Sequence, residues 1–459
     1  DAQESRGLGD VYKRQEGDHV MELTIYHTND IHSHLNEYAR IQAYMAKHRP
    51  QLEHPSLYID IGDHVDLSAP VTEATVGHKN IELLNEAHCD IATIGNNEGM
   101  TISHDALQNL YNDANFKVIC TNVIDEEGHL PHHIASSYIK EIKGTRILFV
   151  AATAPFTPFY RALDWIVTDP LAAIKDEINA HQGEYDLLMV MSHVGIFFDE
   201  KLCQEIPEID VIFGSHTHHH FEHGEINNGV LMAAAGKYGY YLGEVNIMIE
   251  NGKIVDKIAK IHPIETLPLV ETHFEEEGRA LLSKPVVNHH VNLVKRTDVI
   301  TRTSYLLAES VYEFSRADCA IVNAGLIVNG IEADKVTEYD IHRMLPHPIN
   351  IVRVRLTGKQ LKQVIQKSQK QEYMHEHAQG LGFRGDIFGG YILYNLGFIE
   401  SEERYFIGNE EIKNDKQYTL GTVDMYTFGR YFPLLKGLST DYIMPEFLRD
   451  IFKEKLLKL

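Results

Sequence analysis

Side chains that can bind a metal ion follow successive short apolar runs in the first half of this 459-residue sequence. These residues are Asp30, His32, Asp63, Asn96, His193, His216 and His218. The steps from Asp30 to Asp63 and from Asp63 to Asn96 are equal in length, and each is about one strand–helix–strand unit. Because the carboxyl ends of parallel strands meet at one edge of an open sheet, we expect these side chains to converge.

This set of side chains fits a pair of divalent cations. Each motif alone is weak, since Asp-x-His occurs by chance, Gly-Asp usually forms a turn, and the chain contains 28 histidines. Together, however, carboxylate, imidazole and amide groups at strand ends provide oxygen and nitrogen ligands, which suit Mn²⁺, Zn²⁺ or iron. Two such ions would also supply the positive charge that an acidic protein needs in order to bind phosphate.

The elements that must position these residues alternate between short apolar runs and longer amphipathic runs. The predicted strands are Leu23–His27, Leu57–Ile61, Asp90–Ile94, Lys117–Cys120, Arg146–Ala151, Leu187–Ser192, Val211–Phe213, Val230–Ala234 and Glu244–Ile249. The predicted helices are Ala39–His48, Asn80–Ala87, Ser103–Asn112, Pro170–Ala180 and Glu200–Glu205. This alternation is typical of an α/β domain with helices on both faces.

A charged helical stretch, Thr272–Ser283, separates this domain from a second, smaller α/β domain. The second domain is predicted from helices at Ser304–Phe314 and Gly358–Gln369 and strands at Ala320–Asn323, Ile351–Leu356, Gly390–Leu396 and Tyr418–Asp424. The expected boundaries are a disordered or non-native leader at 1–20, a first domain at 21–268, a linker helix at 269–288 and a second domain at 289–459.

The composition narrows the possible partners. The net charge of −24 disfavours duplex nucleic acid and anionic membrane surfaces. No apolar stretch is long enough for a transmembrane helix, so no membrane span is predicted. The four cysteines, Cys89, Cys120, Cys203 and Cys319, lack CxxC spacing and are predicted to be buried free thiols of a reducing compartment. Since the sequence contains no export signal, we expect a cytoplasmic protein.

Several motifs carry a resemblance to a known family. Asp30-x-His32, Gly62-Asp63, Gly95-Asn96, His193 and Gly214-x-His216-x-His218 resemble the signature of the calcineurin-like metallophosphoesterases. With the run Arg146–Pro155 and the second domain, the chain is similar to the bifunctional metallophosphatase/5′-nucleotidases, which include UDP-sugar hydrolases. The resemblance implies an N-terminal β-sandwich flanked by helices, followed by a smaller α/β domain that binds the substrate.

The resemblance also implies roles for the individual residues. One ion would be bound by Asp30, His32 and His218, the other by Asn96, His193 and His216, and Asp63 would bridge the two. A hydroxide held between the ions would attack the phosphorus of a nucleotide, and the ions would stabilise the developing charge, so that no lysine or arginine is required. The second domain would close over the substrate by rotation at the linker.

At Asn97 the sequence differs from the family, in which histidine usually follows the asparagine that corresponds to Asn96. A histidine there can give a proton to the departing oxygen, an effect of about 10²–10⁴ in rate, whereas Asn97 can donate only a hydrogen bond. Three explanations remain open. The leaving group departs unprotonated, another histidine (His34 or His64) takes the role, or turnover is slow. Glu98 is expected to support the loop rather than to act as an acid.

The expected substrate contacts depart from the family as well. The family's glycine-rich stretch ending in arginine is here Asn323–Val328, which lacks the arginine. Tyr426, Phe428 and Tyr431 offer a face on which a base can stack, with core packing as an equal alternative. The predicted substrate-binding residues are Asn96, Asn323, Asn350, Tyr426, Phe428 and Tyr431.

Three functions are therefore considered. The first is a dimetal-dependent phosphohydrolase that removes phosphate from nucleotides. The second is a nucleotide-sugar diphosphatase or cyclic-nucleotide phosphodiesterase, which the absence of histidine at Asn97 favours. The third, of a different class, is a slow or non-catalytic sensor that binds nucleotides and metals.

Overall fold

The structure of the protein is a computed structural model that describes residues 20–459. The predicted leader at 1–20 lies outside the described residues, except for Val20, which begins the first strand. Within residues 20–459, no helix is both long and apolar enough to cross a bilayer. The four cysteines are buried and free, as predicted.

The first domain is built on two β-sheets. The seven-stranded sheet has the spatial order Lys253–Pro263, Tyr241–Glu250, Val20–Thr28, Ser56–Asp60, Ile91–Thr93, Lys117–Ile119 and Ile134–Ala135. The six-stranded sheet has the order Glu225–Asn227, Val230–Ala233, Val211–Gly214, Leu187–His193, Thr145–Thr153 and Ser137–Ile142. Apolar side chains from both sheets, among them Ile25, Ile59, Phe149 and Met189, share one buried core. The sheets therefore form the β-sandwich that the resemblance implied.

Helices cover the two outer faces of this sandwich. They span Leu35–His48, Pro70–Thr75, His78–Glu86, Asn96–Met100, His104–Leu110, Thr157–Ala162, Pro170–Ala180 and Ile196–Glu205. Short 3₁₀ helices at Arg49–Gln51 and Ile264–Thr266 and a ladder of Val123–Ile124 with Ile166–Val167 complete the domain. Each sheet thus has helices on its outer face and the other sheet on its inner face, whereas strand–helix alternation alone predicted helices on both faces.

Parallel pairing brings the carboxyl ends of the central strands together. Thr28 pairs in register with Asp60, and Asp60 with Ala92, at the ends of the first three strands of the seven-stranded sheet. In the other sheet, Ser192 pairs with Gly214. The loops that follow these strands carry the predicted metal ligands, so the register of the sheets places the ligands at one edge.

The second domain has a five-stranded sheet in the order Tyr391–Tyr394, Cys319–Asn323, Gln417–Val423, Asn350–Thr357 and Thr440–Phe447. Its helices are Arg302–Ser315, Glu338–Met344, Gly358–Gln369 and Leu448–Leu456, with 3₁₀ turns at Ala324–Leu326, Glu400–Glu402, Asp424–Tyr426 and Pro433–Leu435. Small ladders pair Pro285–Val287 with Val336–Thr337 and Val291–Leu293 with Ile331–Ala333. A further small sheet contains Leu396–Ile399, Arg404–Ile407 and Glu410–Glu411.

The linker forms a helix, Phe274–Leu281, that packs on Pro70–Thr75 of the first domain. Gly278 lies at this contact, and a β-carbon there would approach the backbone nitrogen of Val71 to 2.5 Å. A side chain at this position would therefore push the two helices apart. The linker helix is thus docked against the first domain rather than standing free in solvent.

Candidate dimetal centre

The residues predicted to bind metal converge at the edge of the sandwich. Asp63 Oδ2 lies 3.6 Å from His32 Nε2 and 3.4 Å from His193 Nε2. Asp30 Oδ1 lies 3.6 Å from His218 Nε2. In two groups, Asp30–His32–His218 and Asp30–Asp63–His193, the potential ligand atoms all lie within 4.8 Å of one another. Asp63 thus lies between two imidazoles, where a bridging carboxylate belongs.

Asn96 joins the cluster through its side-chain oxygen. Asn96 Oδ1 lies 2.7 Å from His216 Nδ1 and 3.3 Å from His193 Nε2. The residues predicted to bind the second ion therefore lie next to one another on one side of Asp63. They are Asn96, His193 and His216. All the side chains that the sequence indicated as ligands meet in one place.

The backbone is held in an uncommon conformation at most of these positions. The φ angles are +50° at Asp30, +46° at His32, +52° at Asp63, +72° at His216 and +58° at His218. Residues other than glycine rarely adopt positive φ, and such strain tends to collect at functional sites. Hydrogen bonds between neighbouring loops stabilise it here, since His32 donates its backbone N–H to the carbonyl of Asp63 at 2.8 Å.

Glu98 supports the loop that carries Asp63. Its carboxylate accepts backbone N–H groups from Asp63 at 3.0 Å, Val65 at 2.9 Å and Gly95 at 2.8 Å. Gly95 is required at the same contact, because a β-carbon there would lie 2.1 Å from Asp63 Oδ1. Glu98 therefore has the supporting contacts that the sequence suggested, and no acid role follows from its position.

The protonation of the imidazoles fits a metal site. His193 Nδ1 lies 2.7 Å from the carbonyl oxygen of Ile61, which only accepts, so Nδ1 carries a proton and Nε2 is the nitrogen that faces Asp63 and could bind a cation. His32 Nε2 is buried and has no hydrogen-bond partner among the described residues. A bound cation would satisfy this orphaned nitrogen and the carboxylates beside it, so the residues present fit divalent metal ions.

The charges at the site respond to one another. Burial alone would lower the pKa of His193, but Asp63 and Asp30 overcome it and raise this pKa to about 10. Burial would raise the pKa of Asp63, but His193 and His32 hold it well below its usual range. Burial lowers the pKa values of His216 and His218 to about 4. The carboxylates thus favour a proton on His193, and a cation that binds its Nε2 would have to displace that proton.

A cavity of about 830 Å³ opens above the cluster and is lined by both domains. The first domain contributes His32, Asp63 and the aromatic ring of Phe156, and the second contributes Arg384 and Phe428. Phe156 and Phe428 meet edge to face, with ring centroids 6.3 Å apart. The cavity thus has a polar, metal-facing end and an aromatic wall assembled across the domain boundary.

The three candidate catalytic residues differ in their positions. Asn97 lines the cavity and donates its side-chain N–H to the carbonyl of Val65 at 3.1 Å. His34 also lines the cavity and stacks on Tyr238, with ring centroids 4.1 Å apart. His64 does not line it, because its ring is buried against Tyr38 and Asn80. The idea that His64 could replace the missing histidine is therefore wrong.

The predicted substrate-binding residues of the second domain fall into two groups, one buried in the core and one lining the cavity. Asn323 and Tyr426 are fully buried and bond to each other, with Tyr426 Oη donating to Asn323 Oδ1 at 2.8 Å. Tyr431 is buried against Phe388. These three belong to the core, since polar and aromatic groups there satisfy one another, so Tyr426 and Tyr431 take the core-packing alternative and offer no stacking face to the cavity.

Two predicted substrate residues do reach the cavity. Phe428 lines it as part of the aromatic wall, and Asn350 lines it nearby. The side-chain nitrogen of Asn350, however, donates to the carbonyls of Pro445 and Glu446 at 3.1 and 3.0 Å. Asn350 therefore fixes the cavity wall with its N–H groups.

The sequence reasoning missed several residues at the site. Lys237 and Arg384 line the cavity, so it contains cationic side chains after all. Asp66 is buried beside His32, with Asp66 Oδ2 3.3 Å from His32 Nδ1. Asp66 follows Asp63 by three positions and could have been noticed, whereas nothing around Lys237 or Arg384 in the sequence points to this site.

A sandwich whose strand ends hold such a cluster under a cavity defines a metal-dependent phosphoester hydrolase. Residues 23–220 match the calcineurin-like phosphoesterase family, and residues 294–430 match the C-terminal domain of 5′-nucleotidases. The chain belongs to the metallophosphoesterase and 5′-nucleotidase family.

Individual relatives extend this comparison. The chain is 38% identical to an uncharacterized metallophosphoesterase of Bacillus subtilis, YunD, over 95% of this chain and 99% of that protein. It is 22% identical to a 5′-nucleotidase of Vibrio vulnificus, over 95% of this chain and 91% of that one. A Staphylococcus aureus protein described as a candidate 5′-nucleotidase has the same fold, with a TM-score of 0.70, 14% identity and coverage of 95% and 96% of the two chains.

Proposed function

We propose that this protein removes phosphate from nucleotides with the help of two divalent metal ions. The observation that carries the proposal is the position of Asp63, whose Oδ2 lies within 3.6 Å of His32 Nε2 and 3.4 Å of His193 Nε2 at the floor of the cavity. A carboxylate shared by two histidine clusters suits a bridged ion pair. When bound, the ions would act as Lewis acids on the phosphoryl group and would activate water.

The residues of the chain would bind and orient the substrate. Asp30, Asp63 and the histidines around them would hold the two ions at the floor of the cavity. Lys237 and Arg384 also line the cavity and would attract an anionic phosphate. Phe156 and Phe428 would pack against the flat, apolar part of the substrate, which supports a nucleotide over a small phosphoester. A substrate bound in this way would touch both domains.

A second candidate is hydrolysis of a diphosphate, as in a nucleotide sugar. Asn97 supports it, because a phosphate leaving group departs without the proton that a histidine would supply. Lys237, a cationic side chain beyond the metal cluster, also supports it, since a second phosphate requires additional positive charge. The size of the cavity, about 830 Å³, leaves room for such a substrate.

A substrate panel distinguishes these functions. Purified protein with added Mn²⁺ would be given AMP, UDP-glucose and 2′,3′-cyclic AMP, and the products would be separated by chromatography. We expect phosphate release from AMP. Cleavage of UDP-glucose alone would establish the second candidate, and tight nucleotide binding without turnover would indicate a sensor. Asp63→Asn provides the control, since activity that survives this substitution comes from a contaminant.

A further inference from the structure

Arg384 of the second domain reaches into the metal end of the cavity. Its Nη2 group forms an ion pair with Asp66 Oδ2 of the first domain. The two residues are 318 positions apart in sequence, so the contact exists only because the domains are packed together. The Asp66 carboxylate is fully buried, which makes a charged partner necessary.

Asp66 connects Arg384 to the predicted ligand His32. Asp66 Oδ1 is occupied by the backbone N–H of Ser68 at 2.8 Å, while Oδ2 faces both Arg384 and His32 Nδ1. Asn97 Nδ2, which can only donate, also lies 3.0 Å from His32 Nδ1, but the charged Asp66 carboxylate is the stronger hydrogen-bond partner. Asp66 therefore favours the proton on Nδ1, which leaves Nε2 of His32 free to bind a cation.

The segment that carries Arg384 is firmly attached to the second domain. The backbone N–H of Arg384 donates to Nδ1 of the buried His347 at 2.8 Å, and His347 Nε2 donates to the carbonyl of Leu326 at 2.8 Å. The preceding Phe383 stacks on His347 at a centroid distance of 5.0 Å. Because this anchor lies in the core of the second domain, the guanidinium moves with that domain.

We propose that Arg384 is a positioning residue through which the second domain controls the metal centre. Arg384 holds Asp66 against His32, and Asp66 holds the His32 ring with its Nε2 towards Asp30 and Asp63. The affinity of the His32 metal position would then depend on contact between the domains. This inference rests on the proposed function, since it assumes that His32 binds a metal ion.

Mn²⁺ binding, measured by electron paramagnetic resonance, tests this inference without requiring turnover. Arg384→Met should weaken one of two bound Mn²⁺ ions by about 10-fold or more and leave the other nearly unchanged. Arg384→Lys should recover part of the loss. Asp66→Asn should weaken the same ion, and the double variant should bind no worse than Asp66→Asn alone, because both residues act through one contact.

Arg353→Met is the matched control. Arg353 is a half-buried arginine that pairs with Asp441 and contacts the carbonyl of Ser315, both within the second domain, so its loss leaves the contact between the domains in place. This control should lose stability and keep its Mn²⁺ affinity. Unchanged Mn²⁺ binding in Arg384→Met, or additive losses in the double variant, would overturn the inference. If the wild-type protein bound no Mn²⁺, Zn²⁺ or iron, the proposed function itself would fail, which is a distinct result.

Discussion

Arg449 of the last helix and Glu73 of the first domain form a two-point ion pair across the domain boundary. Arg449 Nε lies 3.0 Å from Glu73 Oε1, and Nη2 lies 2.6 Å from Oε2. The same guanidinium donates to the carbonyls of His347 at 3.0 Å and Leu67 at 3.2 Å. With its side chain only 4% exposed, Arg449 joins both domains in a place that water hardly reaches.

Removal of this arginine should strongly destabilise the protein. Arg449→Met leaves Glu73 and two carbonyls without their partner, and breaking a buried pair in this way costs about 3–5 kcal/mol. Urea denaturation followed by fluorescence would measure the loss. Arg404→Met is the control, because Arg404 forms exposed pairs with Glu402 and Glu411, whose loss should change the free energy of unfolding far less. Equal losses in both variants would contradict the expectation.

Glu98→Gln should weaken metal binding without unfolding the protein. The glutamine amide group would place N–H donors against at least one of the backbone N–H groups that Glu98 now accepts, and the Asp63 loop would shift. We expect metal affinity to fall about 10–100-fold, as for other groups that orient metal ligands. Titration with Mn²⁺ would measure it, with the exposed Glu86→Gln as control. An unchanged affinity would show that the loop does not need this carboxylate.

Asn97→His should increase the hydrolysis of substrates with poor leaving groups. Because Asn97 lines the cavity beside the ligand cluster, a histidine there could protonate the departing oxygen, and kcat for AMP should rise about 10²-fold. 4-Nitrophenyl phosphate, whose leaving group needs no proton, should gain far less. Asn97→Gln, which also lengthens the side chain but carries no transferable proton, is the control. Equal gains for both substrates would rule out proton transfer as the reason.

Asp424 should make stability depend on pH. Burial raises the pKa of this cavity-lining carboxyl to about 7 in the folded protein, against 3.8 for an ordinary aspartate. The folded state therefore favours the protonated form, whose stabilising contribution is complete below pH ~4 and is lost as the pH rises through about 7. Asp424→Asn should thus gain stability relative to wild type between pH 5 and pH ~8, by about 1–4 kcal/mol. A stability difference independent of pH would disprove this.

The residues of the cluster were predictable because each follows a buried apolar run. Asp30, Asp63 and Asn96 lie two or three positions after strands whose hydrophobic residues make them recognisable, and parallel pairing of these strands brings the three side chains together. Strands with many polar residues were missed, namely Lys253–Pro263 and Thr440–Phe447, since these lie at sheet edges where one side can face solvent. The domain boundaries, the order of the ligands around each ion and the cytoplasmic location stay predictions.

The remainder of the site depends on contacts between residues far apart in sequence. Arg384 could not be assigned to the cavity, because its partner Asp66 belongs to another domain and their meeting depends on how the domains pack. The sequence left the role of Tyr426 open for a related reason. An aromatic residue with a hydroxyl group looks available for a ligand until a buried partner such as Asn323 is known.

The cavity is lined by both domains, which the Arg449–Glu73 and Arg384–Asp66 ion pairs join. A compound that contacts both domains binds only the folded protein, so its binding raises the free energy of unfolding. The melting temperature of the protein would then rise when the cavity is occupied. A library of phosphorylated metabolites could be ranked by this rise before any catalytic assay exists.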